Sequence, residues 1–330
     1  MILVTGGTGH IGNVLVRSLL GRGENVRVLA LPKEDRSMLG DLAVEWAEGD
    51  VLELESLKQA AKGVDVVYHL AGLISIMPGM DSKVWQVNVE GTRNVIAACR
   101  DAGVRRLVYT SSIHSFTRVP AGTLVDERIP FDPDNPIGVY DRSKAAATLS
   151  VLEAVKEGLD AVIVCPTGVI GPFDYRKSEM GQLISSLIGK GPHILVDGAY
   201  DFVDVRDVVQ GLMLVAEKGR SGEVYILSGE QVRMLELHEI VALETGSRTP
   251  LVMLPKKLAK ALASILPFFY KLLRLTPRFT PYAFETVMGN SLYSCEKAQR
   301  ELGYKPRRLR QSIGDTIAWW RERRRQLKGV

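Results

Sequence analysis

The chain is predicted to be an α/β protein built around a doubly wound parallel sheet, and three features of its 330 residues predict it. Short apolar runs alternate with segments of helical period, a glycine-rich turn joins the first such pair, and the run at 64–70 is apolar almost throughout, as expected of a strand buried on both faces. Residues 1–5 read as a strand, 6–12 as a tight turn and 13–20 as a helix. The rhythm repeats through a strand at 26–31, another at 44–46 ending in Gly49-Asp50, and a helix at 52–61. After the strand at 64–70 come one long helix at 82–102, a strand at 106–110, a helix at 140–157 and a strand at 161–165. From about Thr167 the pattern loosens, with Gly171-Pro172 and Gly191-Pro192 as punctuation. The expected division is a nucleotide-binding domain over 1–166 and a smaller, interleaved lobe over 167–330. Segments at about 202–228 are expected to return to the main domain.

Composition excludes several classes. With 46% hydrophobic and 24% charged residues the chain is neither disordered nor collagenous, and a net charge of +4 with scattered basic residues suggests no nucleic-acid groove. Cys99, Cys165 and Cys295 are odd in number and far apart, which fits packing residues in a reducing compartment and no metal site. The apolar pattern starts at Ile2 and leaves no room for a leader, so a cytoplasmic location is expected. The stretch 251–275 carries Leu258, Leu262, Ile265, Leu266, Phe269 and Leu272 near helical spacing, with lysines between them and Pro267 as a break. It is too charged to span a bilayer. It reads either as a broken helix capping a substrate cleft or as one lying on a membrane surface. The basic run 321–328 reads as a solvated helix end.

The turn Gly6-Gly7-Thr8-Gly9-His10-Ile11-Gly12 sits between the first strand and the first helix, where glycine spacing acquires a meaning. Gly6 allows the sharp turn, Gly9 lets backbone approach a pyrophosphate, and Gly12 lets helix and strand pack closely. The N–H groups of the helix start, around His10 and Ile11, favour the anion. This is the phosphate-binding signature of a Rossmann-type fold. At the end of the second strand no carboxylate stands at Ala30-Leu31, while Lys33 and Arg36 follow, with Glu34 and Asp35 between them. Two cations near a 2′-phosphate favour NADP(H) over NAD(H). Asp50, followed by Val51, is placed either to bind an adenine amino group or to cap the helix after it.

Tyr140 and Lys144 are four apart on a predicted helix and project from one face. A neighbouring ammonium lowers the pKa of a phenol, whose ordinary value is ~10, toward one useful for proton transfer near neutrality. Ser112, just past the strand at 106–110, can hydrogen-bond a carbonyl or hydroxyl oxygen. His114 reads either as a substrate contact or as a loop histidine satisfied by backbone, and His193 and Trp85 carry no assignable chemistry.

These motifs, in order, resemble the extended short-chain dehydrogenase/reductases over essentially the whole chain. They are the glycine loop 5–12, Gly49-Asp50-Val51, His69-Leu70-Ala71-Gly72, Asn88-Val89-Glu90-Gly91-Thr92 and Tyr109-Thr110-Ser111-Ser112. Tyr140 with Lys144, Pro166-Thr167-Gly168-Val169-Ile170-Gly171-Pro172, Phe202-Val203-Asp204 and Glu301-Leu302-Gly303-Tyr304 continue the series. The resemblance implies that Leu70, Ala71, Gly72 and Thr110 line the cofactor, that Lys144 holds the nicotinamide ribose, that Pro166, Thr167 and Val169 meet the nicotinamide end, and that Asn88 supports the active-site helix. It further implies a homodimer formed through the helices containing Ser82 and Tyr140.

Nucleotide-sugar dehydratases resemble one another in carrying Thr-Asp-Glu where this chain has Ser112-Ile113-His114, and epimerases in carrying an arginine where it has Tyr200. The 166–172 segment and the apolar 251–275 stretch look more like dihydroflavonol reductases and 3β-hydroxysteroid dehydrogenases. The expected activity is interconversion of a small secondary alcohol and ketone. The rivals are a nucleotide-sugar epimerase and a catalytically silent cofactor sensor.

Overall fold

A computed structural model describes the chain apart from residues 41, 75–78, 190, 273–280 and 329–330, and without the side chains of 267–272 and 327–328. Its first half consists of β1 (Ile2–Thr5), α1 (His10–Gly21), β2 (Val26–Ala30), β3 (Glu45–Glu48), α2 (Leu54–Ala61), β4 (Val66–His69), α3 (Asp81–Trp85), α4 (Gly91–Asp101), β5 (Arg106–Thr110), α5 (Val139–Lys156) and β6 (Ala161–Pro166). The second half follows as β7 (Gly168–Ile170), α6 (Glu179–Ile188), β8 (His193–Val196), β9 (Ala199–Asp204), α7 (Val205–Lys218), β10 (Val224–Leu227), β11 (Glu230–Arg233) and α8 (Met234–Thr245). It closes with β12 (Leu251–Leu254), α9 (Lys256–Leu272), α10 (Pro281–Met288), α11 (Glu296–Leu302) and α12 (Leu309–Lys328).

Among the described residues the main sheet is wholly parallel, in the order β10-β6-β5-β4-β1-β2-β3. Both faces are covered, as the continuous apolar strands require. One core packs Val14, Leu15 and Leu19 of α1 with Val208 and Leu212 of α7 against the sheet. The other packs Leu57 of α2, Val95 of α4 and Val151 of α5 against its opposite face. Strand order reverses between β1 and β4, so the loops leaving those two strands diverge and open a crevice at the C-terminal edge.

The helix expected at 82–102 is not uniform. Between α3 and α4 the chain makes a π turn over Gln86–Glu90. Asn88 in this turn is buried and accepts from the Leu73 N–H (2.7 Å), while its amide donates to the Leu73 carbonyl (3.0 Å) and to Ser143 Oγ (2.9 Å). The widened turn thus ties the loop after β4 to α5. A helical repeat of apolar residues does not reveal it, because the buried side chain that ties the widened turn in place, Asn88, is polar.

The second lobe holds two small sheets, β11-β9-β7 and β12-β8. Of the segments expected near 202–228, α7 packs on the main layer and β10 pairs with β6. Phe202 to Asp204 instead lie in β9, in the small sheet. The chain is not interrupted at Pro267: α9 continues through it to Leu272. A proline costs a helix one N–H donor and crowds the preceding turn, and this helix carries that cost without ending. The 321–328 run is not simply solvated either, since the Arg323 guanidinium stacks over Tyr175 and Trp319. All three cysteines are buried and free.

Candidate functional site

The site grows from the crevice between β1 and β4. Gly6 turns the chain with φ +70°, and a Cβ on Gly12 would lie 2.1 Å from the Gly6 carbonyl oxygen, so α1 can pack this closely only without a side chain there. Gly9 caps α1 without a side-chain hydrogen bond, and the first N–H to return into the helix is that of Asn13, to the Gly9 carbonyl. The N–H groups of His10, Ile11 and Gly12 therefore stand at the end of a helix dipole, a fit for a diphosphate. Across the crevice, Leu70 and Ala71 are pinned to β1, their N–H groups donating to the Thr5 carbonyl and to Thr5 Oγ1. Thr5 in turn bonds His69 Nδ1 at 2.7 Å, and His69 Nε2 meets Thr92 Oγ1 at 3.0 Å. Burial holds this imidazole down to about 3, with the charge of Lys144 acting in the same direction, so His69 is a neutral strut.

At the end of β2 the carboxylate of Glu34 is the group that meets the glycine loop. It accepts from the Thr8 hydroxyl and the Leu31 N–H and pairs with Arg176 at 2.9 Å. Burial pushes this carboxyl up, but the bonds from Thr8, Leu31 and Arg176 outweigh it and leave it lowered. Lys33 is exposed, and Arg36 turns away to stack on Trp46 and face Glu48. The two cations expected to converge on a 2′-phosphate are therefore not brought together. His10 turns its ring to the Pro172 carbonyl (3.0 Å), so its contribution to the loop is its backbone. Asp50 closes a short turn by accepting from the Leu52 N–H, two residues before α2 begins, and is not a helix cap. Val51 packs in the core.

Ser112, Tyr140 and Lys144 do come together, all buried, where β5 ends against α5. Ser112 lies close enough to the Tyr140 phenol to pull its pKa down, and its hydroxyl accepts from the His114 N–H at 3.2 Å. The Lys144 ammonium donates to the Thr110 carbonyl at 2.8 Å and lies over the Tyr109 ring, and a Cβ on Gly72 would stand 3.4 Å from it. The loop after β4 and the helix face thus meet at this lysine. Thr110 Oγ1, at the same strand end, is buried without a hydrogen-bond partner among the described residues, a polar group that a ligand could satisfy. The residues present fit a dinucleotide.

The expected coupling between lysine and phenol is not what governs Tyr140 as the protein stands. Burial pushes the phenol up to about 12, and Ser112 pulls the other way. Burial likewise brings Lys144 down to about 8. Both groups are held toward their neutral forms by desolvation, and the lysine's hydrogen bond goes to Thr110.

Pro166 and Thr167 lie where β6 passes into β7, and Val169 pairs with Val203 of β9, so this segment carries the chain from the strand next to the main sheet's edge into the second lobe. Beside it lies a group that sequence reasoning did not assemble. His114 Nε2 meets the Tyr200 hydroxyl at 2.9 Å, its Nδ1 lies 3.5 Å from the fully buried Asp141 carboxylate, and Arg118 donates to that carboxylate at 3.2 Å. The rings of Tyr140, Tyr200 and Tyr282 all lie within 6.4 Å of the His114 ring. His114 is satisfied by side chains and not by backbone. Tyr200, standing where the resemblance to epimerases implies an arginine, puts an uncharged ring against His114.

Residues 2–228 match the NAD dependent epimerase/dehydratase family. The chain is 36% identical, over 97% of its own length and 98% of the other's, to sterol demethylase protein B of Methylococcus capsulatus. It is 30% identical to a putative dihydroflavonol 4-reductase of Synechocystis sp., across 96% and 93% of the two chains. The crystal structure of gox2253 superposes with a TM-score of 0.85 at 33% identity, covering 98% of both chains.

Proposed function

Because the chain belongs to the NAD dependent epimerase/dehydratase family, we propose that it is an oxidoreductase interconverting an apolar secondary alcohol and its ketone. The observation that carries this reading is the buried trio of Ser112, Tyr140 and Lys144 at the C-terminal edge of the sheet, beside a glycine loop shaped for a diphosphate. A bound nicotinamide supplies or removes the hydride at the carbinol carbon. The protein supplies position and a proton. A phenol pushed up to about 12 is protonated at neutral pH, so Tyr140 donates its proton to the carbonyl oxygen in reduction and recovers it in oxidation. Ser112 would hold the same oxygen, and Lys144, anchored on Thr110, would hold the ribose with its remaining protons.

For the cofactor, the carboxylate of Glu34 at the glycine loop supports NAD(H) over NADP(H), the reverse of what the basic residues alone suggest, since it would accept from ribose hydroxyls and repel a 2′-phosphate. The aromatic wall of Tyr200, Tyr282 and Tyr140 supports a substrate of low polarity, consistent with the sterol protein among the relatives. The helices α3 and α5, with exposed Trp85 and Leu149, support pairing of two subunits.

Replacing Tyr140 with Phe should lower kcat by about 10²–10⁴-fold while leaving cofactor binding intact, because only the proton donor is removed. Net consumption of NADH with a steroid-like or flavonoid-like ketone is the matching positive result. An epimerase would show no net turnover of cofactor, and a sensor would show none in either assay.

A further inference from the structure

The second lobe carries an apolar edge that its own core does not use. In α9 the residues turned into the protein are small: Ala259 and Ala263 are buried against Val196 and Phe284. The large aliphatic residues Leu258 and Ile265, two turns apart on the helix, are instead 48% and 54% exposed. Leu262 and Leu266 are half-buried between these two faces, so alanines take the most buried positions while part of the helix's aliphatic surface is left uncovered. The strand pair leading into the helix repeats the arrangement, since the cross-strand neighbours Ile194 and Val252 are 60% and 45% exposed.

The chain that forms β12 and α9 carries charge of one sign. No Asp or Glu occurs from residue 245 to 284, while Arg248, Lys256, Lys257 and Lys260 lie in the described part of that stretch and Lys271, Arg274 and Arg278 complete it. On a helical projection Lys256, Lys257 and Lys260 fall on the flank of α9 opposite Leu258. The nearest acids are engaged: Asp197 pairs with Arg233 at 2.5 Å, and Glu285 stands 4.0 Å from Lys260. No described helix is long and apolar enough to cross a membrane. An exposed aliphatic stripe on a helix whose other flank carries lysines, with an acid near Lys260 but none within ion-pair distance of Lys257 among the described residues, suits a surface that is apolar below and anionic above.

We propose that the β8–β12 pair and α9 dock this protein on the surface of an anionic lipid bilayer, without spanning it. The inference stands apart from the reaction, since it rests on the outer face of the lobe and not on the crevice.

Sedimentation of the full-length protein with vesicles tests it. On phosphatidylcholine vesicles containing about one third phosphatidylglycerol, binding is expected at low ionic strength. It should be much weaker on phosphatidylcholine alone and should decline as salt is added. Combining Lys256→Glu, Lys257→Glu and Lys260→Glu should reduce binding by about tenfold or more. Combining Leu258→Ser and Ile265→Ser should reduce it without altering its salt dependence. Unchanged melting temperature and cofactor binding would show that these surface variants are folded. No binding to the anionic vesicles, or equal binding by the charge-reversed protein, overturns the proposal. So does self-association that vanishes in the Leu258→Ser, Ile265→Ser protein, which would identify a second copy as the occupant.

Discussion

At the scale of single residues the site is governed by desolvation, and this gives Lys144 a measurable signature. Its folded pKa of about 8 lies below the ordinary value of 10.5, so between those pH values the unfolded chain binds the additional proton. Stability therefore rises with pH across that window, and the penalty of burying the ammonium is fully present below it. Replacing Lys144 with Met should flatten the rise in denaturant midpoint between about pH 8 and 10.5 and raise stability at pH 7, while catalysis is lost. A rise that persists in the variant would place its origin elsewhere. Glu34 offers a second test. Glu34→Ala removes the carboxylate and frees Arg176, so the ratio of NADPH to NADH affinity should increase by about tenfold, read by fluorescence titration. An unchanged ratio would remove Glu34 as the discriminating group. Residue spacing revealed Tyr140, Lys144 and Ser112 because two lie one helical turn apart and the third ends a strand. It could not reveal the direction of Arg36, which depends on the Trp46 ring ten residues away. Nor could it bring Tyr200 to His114 across 86 positions. The only trace of that contact in the sequence was a tyrosine where relatives of another branch carry arginine.

At the scale of elements, the positions of the proposed catalytic groups are set by polar ties between backbones that share no sheet bond. Asn88 is the clearest. From one π turn it satisfies both backbone groups of Leu73 and the hydroxyl of Ser143, the residue preceding Lys144. Asn88→Ala should lower stability by about 1–2 kcal/mol, since the half-buried Leu73 N–H and carbonyl both lose their partner while Ser143 Oγ keeps its bond to the Tyr140 carbonyl. It should also weaken cofactor binding, because the loop 70–73 and α5 lose their common anchor. A variant with wild-type melting temperature and cofactor affinity would refute this. Strands were legible in the sequence because burial on both faces leaves continuous apolar runs, as in β4 and β6. Interruptions within helices were not. The π turn is tied in place by a polar residue, Asn88, and α9 passes through Pro267 without ending, so nothing in the apolar spacing marks the first and only a breaking residue suggests the second.

At the scale of the whole molecule, the parallel sheet with its crevice could be read from alternation and one glycine loop, whereas the small sheets of the second lobe could not. Of their strands, β7 follows β6, β9 follows β8 and β11 follows β10 within a few residues, without the intervening helix that marks most of the main sheet. Pairing of two subunits belongs to this scale. Sedimentation equilibrium should give a dimer, and Trp85→Glu with Leu149→Glu, placing charge on α3 and α5, should shift it to monomer. A wild-type monomer at micromolar concentration would rule the pairing out. One feature of the main sheet reaches further. The strand that completes its edge, β10, is supplied from beyond residue 223, so β6 has its outer hydrogen-bonding groups unmatched until most of the chain exists. A ribosome releasing this polypeptide from its N-terminus presents a finished glycine loop with a sticky margin about sixty residues before the cover arrives. Fragments cut near the first lobe's nominal end should for that reason precipitate rather than persist as a free-standing dinucleotide holder.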